Sequence, residues 1–150
     1  MEKVAIVILN YLNYKDTIEC VESIEQMKYD IAGIVIVDNG SNNDSWEILK
    51  RKYKGSRNIH VVRARKNYGF AKGNNIGIEI ARKKFGTDYV FVVNNDVVFK
   101  DDNYFVELMK AYDQNVAIIG SEIHLKNGNI QREYSIFNII HYFNPMAIWV

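Results

Sequence analysis

Residues 89–100 read YVFVVNNDVVFK, and this stretch decides the class of fold. It opens with five consecutive apolar residues, which is typical of a β-strand buried on both faces. Asn94, Asn95 and Asp96 follow, and their side chains compete with the backbone for hydrogen bonds, which is unfavourable inside a strand. We therefore expect the strand to end at this triplet. The rest of the sequence indicates why a polar triplet stands there.

Short, β-branched, nearly continuous apolar runs of this kind recur along the chain, with helical patterns between them. The predicted strands cover residues 4–9, 33–38, 59–63, 89–94 and 116–120. Helices are predicted from the apolar repeat Ile18, Val21, Ile24 and Met27, from a cap at Ser41 or Asp44 to about residue 53, over residues 70–85, and from about residue 101 to 114.

Strands that alternate with helices predict an α/β protein. We expect one domain over residues 1–150, with a three-layer α/β/α arrangement around a mostly parallel, Rossmann-like sheet. Asn127-Gly128 lies between apolar residues and predicts the turn of an antiparallel hairpin. The parallel pattern is therefore expected to change near residue 120.

Composition and charge narrow the functional class. The 150 residues are 48% hydrophobic and 25% charged, with a net charge of +1, which fits one soluble globular domain and gives no electrostatic argument for a nucleic-acid partner. Arg63, Arg65 and Lys66 form the nearest thing to a basic patch, and we interpret them as a solvated loop or strand end. Cys20, the only cysteine, excludes a disulfide framework and is expected to be a small core residue. Neither a signal peptide nor a membrane-spanning run of about 20 apolar residues is expected.

Several common α/β enzyme classes lack their motifs here. The first predicted strand is not followed by GxGxxG, and GxxxxGK[ST], HExxH and GxSxG do not occur. Polar residues instead follow the strands, where an open parallel sheet binds ligands. These segments are Asn10-Tyr11, residues 38–44, residues 67–69 and residues 94–96.

In combination, four stretches carry a specific likeness to a known family. They read VAIVILNYLNYKDTIECVESI, IVIVDNGSNNDS, RKNYGFAKGNNIGI and YVFVVNNDVVF, and the likeness extends from residue 3 to about residue 133. The sequence resembles the nucleotide-sugar glycosyltransferases of the GT-A fold, family 2, and among them the rhamnosyltransferase-like bacterial members. The resemblance implies transfer of a sugar from a UDP- or dTDP-sugar to a saccharide or lipid-linked acceptor, in cell-surface polysaccharide synthesis. It also implies a cytoplasmic location at the inner face of the membrane, with peripheral membrane association.

The resemblance assigns site residues for the donor nucleotide. Asp38 falls where the family binds the base or ribose, with the alternative that it only shapes the turn that follows its strand. Asn10 and Tyr11 would flank the base through backbone contacts and ring stacking, unless they form only a helix entry loop. Asn67 and Gly69 match a segment near the sugar and diphosphate.

The polar triplet Asn94-Asn95-Asp96 occupies the place of the family's D-x-D motif. A role in donor binding would explain why polar residues interrupt the apolar run there. Asp96 would be the direct ligand of Mg²⁺ or Mn²⁺, because such ions can be held by one or two carboxylates together with phosphate oxygens. Asn94 would contact ribose or phosphate, with Asn95 beside it. Both asparagines are neutral, so the triplet departs from the strict motif; the alternative is an ordinary polar turn.

In the family, a general base for the acceptor hydroxyl comes from a downstream half, and no residue here is assigned that role. We therefore expect residues 1–150 to be the donor-binding part of a longer enzyme, truncated before the acceptor-binding part. The alternative is an inactive module that binds a nucleotide or a partner chain, and a dinucleotide-binding domain is a third option. The apolar tail at residues 137–150 is interpreted as packing surface, through which the chain could form a homo-oligomer.

Overall fold

A computed structural model describes residues 2–110 of the chain and, beyond them, the backbone at 123–124, 130–131 and 148–149. Strands and helices alternate along the chain. The order is β1 (Val4–Asn10), α1 (Tyr14–Glu25), β2 (Ile31–Asp38), α2 (Ser45–Lys52), β3 (Ile59–Arg63), α3 (Phe70–Phe85), β4 (Tyr89–Asn94), α4 (Tyr104–Lys110), β5 (Ile123–His124), β6 (Ile130–Gln131) and β7 (Ile148–Trp149).

One parallel sheet runs through the protein, with strand order β3-β2-β1-β4-β7. The chain leaves β1 in one direction to form β2 and β3, and then crosses back to place β4 on the other side of β1. The strand order therefore reverses between β1 and β4, which is where open α/β sheets bind ligands beyond the carboxyl ends of the strands. The register sets Asn10 beside Asp38 and Leu9 beside Asn94, so the ends of β1, β2 and β4 lie at one edge of the sheet.

The sheet is covered on both faces, because alternate residues of its strands enter two separate hydrophobic clusters. Val4, Ile6 and Ile8 point to the face that carries α1, α2 and α4. Ala5 and Val7 point to the opposite face, where α3 packs. The predicted three-layer α/β/α fold is confirmed.

Two glycines allow α3 to lie close to the sheet. A Cβ atom on Gly73 would stand 2.6 Å from Leu9 Cδ1, and one on Gly77 would stand 2.4 Å from Val7 Cγ1. Neither position has room for a side chain, so these glycines serve helix-to-sheet packing.

The sequence patterns located the elements with small shifts at their ends. β1 includes Asn10, β2 begins at Ile31, and α3 has the bounds predicted for it. Asp44, not Ser41, is the N-cap residue of α2, although its side chain makes no capping hydrogen bond. The fourth helix begins at Tyr104 instead of about residue 101.

Beyond residue 110 the comparison is limited to backbone pairing. β5 and β6 pair antiparallel, as expected from the predicted hairpin, and the predicted turn at Asn127-Gly128 lies outside the described residues. The predicted strand at 116–120 and the end of the fourth helix lie outside the described residues. β7 was not predicted, because the tail at 137–150 was interpreted only as packing surface; β7 pairs with β4 at the edge of the sheet. Within the described part of the chain, no helix has the length and apolar character needed to cross a bilayer.

Candidate functional site

A buried chain of hydrogen bonds joins three strand ends at the carboxyl edge of the sheet. Asn10 donates through Nδ2 to Asp38 Oδ1 at 2.8 Å and accepts at Oδ1 from the Thr17 hydroxyl at 2.9 Å. Asn95 Nδ2 in turn donates to Thr17 Oγ1 at 3.2 Å. Asn10, Thr17 and Asp38 are fully buried. The chain therefore runs from the end of β2, through β1 and α1, to the polar triplet after β4.

The carboxylate of Asp38 is held from several sides. Its Oδ2 accepts from the backbone N–H of Ser41 at 3.2 Å and lies 3.6 Å from Nε of Arg63. Arg63 also donates through Nη2 to the Ser41 carbonyl at 3.0 Å, and its side chain is 46% exposed. Because Arg63 offsets the buried charge and still reaches solvent, Asp38 fixes a cationic group and a loop at the edge of the sheet.

A second set of contacts joins the loop after β2 to the loop after β3. Asn39 is buried, donates through Nδ2 to Asn67 Oδ1 at 3.0 Å, and accepts at Oδ1 from the Tyr68 N–H at 3.1 Å. Asn67 Oδ1 also accepts from the Gly69 N–H at 2.8 Å. Gly40 has φ +73°, and a Cβ atom there would stand 2.4 Å from the carbonyl carbon of Lys66. The two loops therefore lie so close at Gly40 that a side chain there would collide with the neighbouring backbone.

The polar triplet forms a tight turn at this edge. The Val97 N–H donates to the Asn94 carbonyl at 3.2 Å, which closes the turn, and the same carbonyl accepts a long contact from the buried Cys20 thiol at 3.7 Å. Burial raises the pKa of Cys20 to about 12, with a further contribution from the negative charge of Asp96. The thiol is thus a neutral group beneath the turn, and Asp96 itself is exposed on the rim.

The loop after β1 presents apolar side chains to solvent. Tyr11 is 45% exposed and Leu12 is 39% exposed. Leu12 has φ +62°, a left-handed conformation that costs a non-glycine residue about 1–2 kcal/mol. Two side chains of the neighbouring loop hold it there: the Leu12 N–H donates to Ser41 Oγ at 2.9 Å, and its carbonyl accepts from Asn43 Nδ2 at 2.8 Å.

A divalent cation fits this edge of the sheet only if a bound diphosphate supplies some of its ligands. Among the described residues, no group of three or more His, Cys, Asp or Glu side chains is placed to hold a metal ion. Asp96 nevertheless offers an exposed carboxylate, and one carboxylate with phosphate oxygens and water suffices for Mg²⁺. The residues therefore fit a cation that arrives with a diphosphate, and not a cation caged by protein ligands.

The structure brings the residues singled out by sequence to one edge but gives them unequal exposure. Tyr11, Asn67, Gly69, Asn94 and Asp96 are exposed, and Asn95 is half-buried. Asn10 and Asp38 are fully buried and have internal partners, so their contact with a nucleotide stays a prediction.

Four residues that build the edge were assigned no individual site role from the sequence, although two of them fall in the polar segment 38–44: Thr17, Asn39, Ser41 and Arg63. Thr17 had a signal, because it is a polar residue on the apolar face of α1, one turn before Val21. Arg63 was interpreted as solvated, and only the register that places it beside Asp38 shows its partner.

Comparison with known proteins places this geometry in a family. Residues 4–147 match the family described as glycosyl transferase family 2, so the chain belongs to that family. This is a protein with the GT-A type of α/β fold, as expected from the four motif stretches.

Individual relatives agree with the family. Glycosyltransferase GlyG of Streptococcus pneumoniae serotype 4 is 29% identical, over 67% of this chain and 32% of its own length. The Escherichia coli UDP-Glc:alpha-D-GlcNAc-diphosphoundecaprenol beta-1,3-glucosyltransferase WfaP is 33% identical, over 71% of this chain and 48% of its own length. The chain thus spans between about a third and a half of the length of these two curated relatives.

A solved structure supports the fold. Residues 1–349 of S. aureus TarS in complex with UDP superpose with a TM-score of 0.60, at 20% identity, over 72% of this chain and 31% of that one. The same TarS fragment also has a structure in complex with UDP-GlcNAc.

Proposed function

We propose that this chain is the donor-binding part of a glycosyltransferase that moves a sugar from a nucleotide-diphosphate donor to a saccharide or lipid-linked acceptor, in cell-surface polysaccharide synthesis. The observation that carries the proposal is the convergence of four loops on one edge of the sheet. The buried chain from Asp38 to Asn95 joins three of them, and Asn39 joins the loop after β3 to the loop after β2. Residues 1–150 would form a single nucleotide-sugar-binding domain, with the acceptor bound by other parts of the enzyme.

The relatives favour a uridine nucleotide as the donor. The name of WfaP gives a UDP-sugar as donor and a diphosphoundecaprenol-linked acceptor for that protein. The TarS structures hold UDP and UDP-GlcNAc. Since this chain shares their family or fold, a UDP-sugar is the first donor to test, followed by dTDP-sugars. A lipid-linked acceptor would set the reaction at the cytoplasmic face of a membrane.

Each exposed residue at the edge has a role in this proposal. Asp96 would hold Mg²⁺ or Mn²⁺ against the donor diphosphate, with Asn94 beside it as a hydrogen-bond partner for phosphate or ribose. When bound, the cation would offset the charge that develops on the leaving diphosphate. Asn95 has its Nδ2 donating to Asn13 and Thr17, which keeps the turn in place.

The nucleoside would lie between the loops after β1 and β2. The exposed ring of Tyr11 can stack on a base, and Arg63 gives positive charge at the same edge. Asp38 has lone pairs beyond those that Asn10 and Ser41 use, so it can also accept from the base or ribose if the loop opens. Gly69 and Asn67 would face the diphosphate and sugar from the loop after β3.

Calorimetric titration of the 150-residue chain tests the site. UDP, dTDP and GDP are titrated with and without Mn²⁺, and we expect UDP or dTDP to bind more tightly with the cation. Asp96→Asn should remove the dependence on Mn²⁺, whereas Asp30→Asn, an exposed carboxylate at the opposite edge of the sheet, should not.

Two results would count against the proposal. Binding of no nucleotide under any condition would reject the site. Tight binding by the chain, without sugar transfer by the full-length enzyme that contains it, would favour the inactive binding module.

A further inference from the structure

Asn74 is the one buried amide side chain in the described residues that has no hydrogen-bond partner at either polar atom. It is 1% exposed, and both Nδ2 and Oδ1 are unpaired. Buried polar groups in folded proteins nearly always find partners, so an amide with neither atom satisfied needs an explanation. The unpaired amide destabilises the folded state, and no contact among the described residues compensates for this loss.

The place of Asn74 in α3 gives the explanation. α3 follows β3, so its first turn lies at the carboxyl edge of the sheet, and Gly69 before it has no side chain that could cap the helix. Gly73 packs on Leu9 near the end of β1, and Asn39 also lies beside it. Asn74, the next residue, is rotated by about 100° around the helix axis from Gly73. Because the crossover from β3 to β4 is right-handed, this rotation places Asn74 on the side of α3 nearer β4. Asn74 thus lies on the side of α3 that faces the reversal of strand order.

The direction of the side chain leads to the same edge. A helical side chain leans toward the helix N-terminus, so the Asn74 amide covers the turn that begins at Phe70. An uncapped helix N-terminus attracts anions such as a diphosphate. The amide therefore lies about one helical turn from the place proposed for the donor diphosphate, within reach of a group attached to it.

Because Asn74 lacks a partner for a donor and for an acceptor, the missing ligand must supply both. Phosphate oxygens only accept, whereas a sugar hydroxyl both donates and accepts. We propose that Asn74 binds a pair of hydroxyl groups of the transferred sugar, and so helps to select which donor sugar is used. This inference rests on the proposed function, and it adds a residue that contacts the sugar of the donor and not its nucleotide.

The test compares UDP with UDP-Glc and UDP-GlcNAc, titrated into the whole chain with Mg²⁺. In the wild type, at least one of the two UDP-sugars should bind more tightly than UDP. Asn74→Ala should weaken that UDP-sugar about 10- to 100-fold, as expected for two lost hydrogen bonds, and change UDP less than about twofold. Asn58→Ala, an exposed amide at the opposite edge of the sheet, serves as the control and should change neither.

A stability measurement separates a binding role from a structural one. Asn74→Leu removes the unpaired amide, so it should raise Tm by about 2–8 °C while it lowers affinity for the UDP-sugar as Asn74→Ala does. A lower Tm for Asn74→Leu, or equal losses of UDP and UDP-sugar affinity, would overturn the inference. So would UDP-sugars that bind the wild type no more tightly than UDP. In each of these results the wild type still binds UDP, so they differ from failure of the proposed function, in which the wild type binds no nucleotide and both proposals fall.

Discussion

The hydroxyl of Thr17 is the middle of the buried chain from Asp38 to the polar triplet, so its removal should have a measurable cost. Thr17→Val keeps the shape of the side chain and deletes the hydroxyl. Asn10 Oδ1, fully buried, then loses its contact with the Thr17 hydroxyl at 2.9 Å. The Asn13 carbonyl also loses that hydroxyl, at 3.0 Å, but keeps Asn95 Nδ2 at 3.2 Å. Leaving one buried acceptor unsatisfied costs about 1–3 kcal/mol. We therefore expect the free energy of unfolding to fall by that amount, with a Tm about 2–12 °C lower.

Thr87→Val is the matched control for this prediction. Thr87 is also buried, but its hydroxyl has no partner, so the same substitution should leave stability unchanged or raise it. Urea unfolding followed by circular dichroism gives both values, and an unchanged slope with denaturant shows that only stability has changed. If Thr17→Val is as stable as the wild type, or shifts by the same amount as Thr87→Val, the buried chain does not hold the site together.

Three further predictions follow from single positions. Leu12→Gly relieves a left-handed strain of about 1–2 kcal/mol, so it should unfold at no lower urea concentration than the wild type, whereas glycine elsewhere is destabilising. Gly40→Ala should be about 1–3 kcal/mol less stable than Gly55→Ala, because both glycines have positive φ but only the former meets backbone, and equal losses would refute the close approach of the two loops. Because burial raises the pKa of Cys20 to about 12, the unfolded state binds fewer protons than the folded state above pH 9; Cys20 should therefore make stability fall as the pH rises from 9 to 12, and in urea titrations Cys20→Ala should lose less stability over that range than the wild type.

Local sequence patterns were sufficient for the architecture of residues 2–110. β4 and α3 were located at their observed bounds, because a continuous apolar run and a three- to four-residue repeat each depend on neighbours in sequence. The starting points of β2 and α4 were displaced, since mixed residues at element ends carry little periodic signal. β7 could not be predicted from a local pattern, because its two residues form a strand only by pairing with β4.

The site was predicted as a set of loops but not as a network. Parallel topology alone places the segment after β2 near the segment after β4, so Asp38 and Asp96 could be assigned to one edge before any coordinates. The burial of Asp38 and the central place of Thr17 could not be predicted, because they depend on which side chain fills the space between β1 and α1. The lack of partners at the Asn74 amide could not be predicted either, since an asparagine in a helical pattern gives no sign of what its side chain contacts.

Amide chemical shifts in the ¹⁵N-labelled chain, recorded as UDP and Mg²⁺ are added, test most directly whether the loops at the strand ends form one donor site. We expect the largest changes in the segments 10–13, 38–44, 67–70 and 94–97, and none in the segments 28–30, 55–58 and 86–88 at the opposite edge of the sheet. Saturating changes confined to that opposite edge, or none at all at millimolar UDP, would contradict a nucleotide-diphosphate site at the carboxyl ends of the strands.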